Sequence, residues 1–69
     1  MAWQYRVMRI DDQLTVHEVY YGEDSSVLRA YSASPAYPRG CDIEELADDL
    51  IRYQEALSLP VLVPEDFNR

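Results

Sequence analysis

Residues 42–57, DIEELADDLIRYQEAL, constrain this chain more than any other stretch, because they divide cleanly between two faces of a helix. On a 3.6-residue wheel Ile43, Leu46, Ala47, Leu50, Ile51, Tyr53 and Leu57 fall on one side. Glu44, Glu45, Asp48, Asp49 and Glu55 fall on the other with Arg52, five carboxylates against one arginine and so a net charge of −4. The apolar face is expected to be buried and the acidic face solvated. The helix start is also marked. Asp42 suits the N-cap, Glu45 three residues on can complete a capping box, and Cys41 and Leu46 can pack as a hydrophobic staple. Glu44 and Glu45 sit favourably at the positive end of the helix. Pro60 forbids continuation, so the helix is predicted over about 43–57.

The remaining runs read as strands. Trp3–Ile10 (WQYRVMRI) starts by alternating, with Trp3, Tyr5 and Val7 opposite Gln4 and Arg6. Residues 14–21 (LTVHEVYY) are β-branched and aromatic, and Asp11, Asp12 and Gln13 between the two runs predict an antiparallel hairpin. Residues 22–26 (GEDSS) predict a second turn, in which Ser25 and Ser26 beside two acids also resemble a phosphorylation motif. A third strand is predicted over about 27–32. Pro35, Pro38 and Gly40 make the following stretch a loop. The expected fold is α+β: a three-stranded antiparallel meander packed on one C-terminal helix. A short extended tail is expected at 60–64, the end beyond it frayed unless Phe67 anchors it.

Sixty-nine residues predict a single small domain with an economical core, or one supplemented by oligomerisation. Cys41 is the only cysteine, so no intrachain disulfide is available, and a lone thiol fits a reducing cytoplasm. The opening MAWQYRVMRI has no apolar run of signal or membrane length, which predicts a soluble, cytoplasmic protein. Thirteen carboxylates stand against six arginines and no lysine. A net charge of −7 repels nucleic acid and anionic membranes and favours basic partners, or serves solubility alone.

Neither face of the predicted sheet is cleanly polar. Tyr5, Tyr20, Tyr21 and Tyr31 are candidate residues of an aromatic sheet surface, which a homodimer or partner could cover. Alternatively residues 60–67 fold across it.

No catalytic constellation emerges. Cys41 precedes a helix N-terminus, a position that can activate a thiol, but His17 lies on a predicted strand and reads as a rim histidine. One cysteine and one histidine cannot build a structural zinc site, no spacing matches a calcium loop, and two glycines leave no phosphate cradle. No catalytic, cofactor-binding or metal-ligating residue is assigned, and the chain does not read as an enzyme.

The runs Trp3-Gln4-Tyr5-Arg6-Val7, His17-Glu18-Val19-Tyr20-Tyr21, Ile43-Glu44-Glu45-Leu46 and Pro60-Val61-Leu62 together resemble a family of short, uncharacterised proteins of bacteria and their phages. That resemblance implies no activity. By size, acidity and lack of lysine the chain is also similar, as a class, to phage-encoded inhibitors such as anti-CRISPR proteins and DNA mimics; this implies a host cytoplasmic setting.

Carboxylates three or four residues apart on a helix are about 5–6 Å apart between Cβ atoms, a row suited to arginine and lysine side chains that otherwise hold phosphates. The leading expectation is a non-enzymatic inhibitor or modulator. Its acidic surface (Glu44, Glu45, Asp48, Asp49, Glu55) would dock on a basic, nucleic-acid-binding protein or complex, with no direct contact to nucleic acid or membrane. The alternative is a small homodimeric accessory protein pairing through its tyrosine-rich sheet face. A third possibility is chemistry at Cys41.

Overall fold

The computed structural model describes residues 2–24 and 27–67. Strands β1 (Trp3–Ile10), β2 (Gln13–Tyr21) and β3 (Leu28–Tyr31) form an antiparallel sheet in the order β1-β2-β3. Helix α1 (Ile43–Ala56) and a 3-10 turn (Pro64–Phe67) follow, giving an α+β fold. The third strand is shorter than the expected 27–32, and the helix ends one residue early, with Leu57 as C-cap. Ser25 and Ser26, the candidate phosphorylation sites, lie outside the described residues.

The hairpin geometry follows from its two-residue loop. Ile10 pairs with Gln13, and Asp11 and Asp12 take φ values of 52° and 64°. Positive φ at both central positions is the signature of a type I′ turn, whose twist matches that of the flanking strands; aspartate tolerates it better than most residues. β2 and β3 pair through Val19–Tyr31, Tyr20–Ala30 and Tyr21–Leu28, with a register shift between Tyr20 and Tyr21. Where β3 stops, the loop keeps to the same edge of β2. The Ser32 N–H donates to the Glu18 carbonyl and the Ala36 N–H to the Val16 carbonyl.

Each face of the sheet carries its own core. On one, Tyr5, Val7 and Ala56 are buried, with Val16, Ala36 and Tyr53 packed beside them. On the other, Met8, Val19, Tyr21 and Leu62 are buried under Ile10, Leu28, Tyr31 and Phe67. Leu62 forms a parallel bridge to Met8 on the outer edge of β1. Its N–H donates to the Val7 carbonyl and its carbonyl accepts from the Arg9 N–H. The Phe67 ring then lies 4.9 Å from that of Tyr31. The chain's own C-terminal residues therefore cover the far sheet face, and the expected fraying is corrected through Phe67 by an ordered turn.

The helix sits differently from its wheel. Asp49 and Ala56 are buried and Leu46 and Tyr53 half-buried, a 3-4-3 stripe turned toward the sheet. Ile43 is 80% exposed, Leu57 70%, Ile51 54% and Leu50 49%. At about 100° per residue, the apolar face is turned roughly a quarter-turn away from the sheet. Expected burial of that whole face is thus corrected: only its Leu46–Tyr53 edge is used, and an acid goes inside with it.

Candidate protein-binding surface

Helix α1 is anchored at its start by the residues that announced it. The Asp42 carboxylate accepts from the Glu45 N–H at 2.9 Å, and Asp42 itself is extended, as an N-cap should be. Glu45 reaches back at 3.0 Å to the N–H of Cys41, one residue beyond the capping-box position. The predicted staple is absent, because Cys41 is exposed. Gly40 explains the close approach of the loop: a Cβ there would lie 2.4 Å from the Leu46 nitrogen.

Asp49 leaves the acidic face altogether. It is 7% exposed and accepts from the Tyr5 hydroxyl at 2.9 Å and from the Arg39 backbone N–H at 3.1 Å. Burial, and then the Asp49 hydrogen bond and charge, push the Tyr5 hydroxyl from 10.0 up to about 12. The Tyr53 ring packs 4.5 Å from that of Tyr5, and its hydroxyl is buried without a hydrogen-bond partner. Burial, then Asp49, raises its pKa too.

Glu44, Glu45, Asp48 and Glu55 remain exposed along the helix. A polar depression of about 230 Å³ joins Glu45, Asp48 and Asp49 to Arg52 and also to Arg39, which the loop delivers beside them. The exposed face thus sets four carboxylates against two arginines, a net charge of −2 where the wheel implied −4. Periodicity could not reveal Arg39 here, since it belongs to no regular element. Its guanidinium is 5.5 Å from the Tyr37 ring centroid and 4.0 Å from the Glu18 carboxylate. The neighbouring groove between β1 and α1, about 390 Å³, is lined by Trp3, Gln4, Tyr5, Arg52 and Glu55.

The four candidate sheet tyrosines do not share a surface. Register places Tyr5 and Tyr20 on the helix side; Tyr21 and Tyr31 lie on the side covered by Leu62 and Phe67. Tyr5 and Tyr21 are buried and the other two half-buried. Their hydroxyls serve internal bonds where partners are seen: Tyr20 donates to Glu18, while Tyr21 donates to Gln4 and accepts from Arg6.

His17 is buried, not at a rim. Its Nδ1 lies 2.9 Å from the Ser32 carbonyl oxygen, which can only accept, so Nδ1 carries the proton. Its Nε2 lies 2.9 Å from the Thr15 hydroxyl. Both ring nitrogens are thereby engaged, and neither is offered to Cys41. Among the described residues no three His, Cys, Asp or Glu side chains gather as a metal site, and no helix is long and apolar enough to cross a membrane. Compared with protein-family models, curated proteins and solved structures, the chain gives no match.

Proposed function

We propose that this chain is a non-enzymatic protein-binding inhibitor or modulator, whose acidic helix surface docks on a basic, nucleic-acid-binding partner. One observation carries the reading: Glu44, Asp48 and Glu55 are all exposed along a single capped helix, held by a rigid element instead of a flexible loop. Carboxylates fixed in this way can meet arginine and lysine side chains without ordering a segment first. The net charge of −7 adds long-range attraction to a basic surface. Asp49, committed to Tyr5 and Arg39, plays no part in the contact.

The test is affinity capture on the immobilised protein from host extract at about 50 and 500 mM salt. Captured nucleic-acid-binding proteins should be released by salt and by added nucleic acid. The Glu44→Lys/Asp48→Lys double variant should weaken capture by at least about tenfold. Capture that survives both salt and this charge reversal refutes the reading.

A further inference from the structure

The residues that α1 and its C-cap leave in water include a regularly spaced strip, apolar except at Gln54. Ile43, Ala47, Leu50, Gln54 and Leu57 follow one another at intervals of 4, 3, 4 and 3, and all five are exposed. This is the seam spacing of a coiled coil, with leucine or isoleucine on one set of positions and the small Ala47 and the polar Gln54 on the other, a polar a-position residue setting register at a cost in stability. Ile51 widens the strip on one side. The arrangement is also nearly palindromic: Ile43 and Leu57 each stand seven residues from Leu50.

The geometry points to a second copy of this chain as the occupant of the strip, the two α1 helices pairing antiparallel about Leu50. Antiparallel pairing sets Ile43 of one protomer opposite the other protomer's Leu57, and the two Leu50 side chains against each other. The small Ala47 permits close approach near the centre. In the same heptad frame Asp48 and Glu55, like Glu45 and Arg52, occupy outer positions away from the seam. Glu44 alone among the acids flanks the seam, beside Ile43, while the other exposed acids stay on the outside.

Area supports the same occupant. Ile43, Leu50, Ile51 and Leu57 leave on the order of 450 Å² in water, well above scattered single residues and within the range of functional patches. Complete burial of these four residues in two copies would remove at most roughly 900 Å², so Ala47, Gln54 and the flanking residues must add to it to reach the ~1,000 Å² that a specific interface needs. Only seven hydrophobic residues are buried within the described chain, so a covered helix also enlarges a small core.

The test is sedimentation velocity from about 1 to 300 μM, with Leu50→Glu and Ile43→Glu as separate variants and circular dichroism as the check on folding. Wild type should form a reversible dimer, and either substitution should weaken it by about thirtyfold or more. Ile43 is 80% exposed, so its replacement leaves the fold intact even if Leu50→Glu does not. Orientation is read by mixing Cys41→Ser/Ile43→Cys with Cys41→Ser/Leu57→Cys under oxidation: antiparallel pairing gives the mixed disulfide. Salt separates this inference from the proposed function. Screening the −7 charge of each protomer should tighten dimerisation, whereas it should weaken docking on a basic partner. A monomer at every concentration overturns the inference. So does a dimer that resists both substitutions, or cross-links that form only between identical positions.

Discussion

Asp49 is where the helix, the first strand and the loop meet. Its two oxygens take the Tyr5 hydroxyl and the Arg39 N–H, so removing it strands one buried and one partly buried donor at once. Asp49→Ala should cost about 1–3 kcal/mol, measured by urea unfolding. The same contact sets a pH limit. The folded protein holds the Tyr5 proton more tightly, at about 12, than an unfolded chain does near 10.0. The stabilisation from this group is therefore complete below pH 10 and is lost as pH rises through 12. Urea midpoints measured from pH 8 to 12 should fall along this limb. Tyr5→Phe should make the fall shallower without abolishing it, because the Tyr20 and Tyr53 hydroxyls are also raised. Asp49→Asn should return the Tyr5 pKa part of the way toward 10, leaving burial, the largest single cause, in place.

At the level of elements, legibility depended on whether the deciding interaction was local. The β1–β2 hairpin was readable from Asp11 and Asp12, because turn geometry is set within a few residues. Replacing Asp12 with glycine removes the steric cost of φ at 64° and should raise stability by about 0.5–1 kcal/mol in urea unfolding. The helix start was readable from Asp42 and Glu45 for the same reason. Its rotation was not. A wheel counts apolar residues, but it cannot know that Tyr5, far away in sequence, requires an acceptor that Asp49 can supply. His17 was misplaced likewise, since its burial depends on the Ser32 carbonyl across the sheet. Gly40 is a tighter case: Gly40→Ala would press a methyl group against the helix backbone and should destabilise by about 1–3 kcal/mol, measured as a lower urea midpoint.

The whole molecule is organised around a sheet with a core on each side. One core depends on α1 and the other on the C-terminal residues, with Leu62 tying the latter to the edge of β1. Leu62→Ala should cost about 2–4 kcal/mol in urea unfolding, with amide exchange accelerated first at Arg9, whose N–H donates to the Leu62 carbonyl. The acidic candidate surface was legible only in part. Glu44, Glu45, Asp48 and Glu55 face water as the wheel implied, while Asp49 is withdrawn and Arg39 added by long-range packing.

The aromatic contacts give this division an optical consequence. Trp3 is the only tryptophan, and its ring stands edge-on to Tyr5 with centroids 5.2 Å apart. Its fluorescence is therefore a built-in probe of the helix side of the sheet. Ionised Tyr5, or Tyr20 opposite Trp3 on β2, would absorb at the short-wavelength edge of tryptophan emission and quench it, so dimming at high pH marks proton loss on this side of the sheet. The core beneath Leu62 and Phe67 contains Tyr21 and Tyr31 but no tryptophan, and adds nothing to the tryptophan emission. An emission change that runs ahead of amide exchange at Arg9, whose N–H is held by the Leu62 carbonyl, would show the helix lifting while the other side of the sheet remains closed.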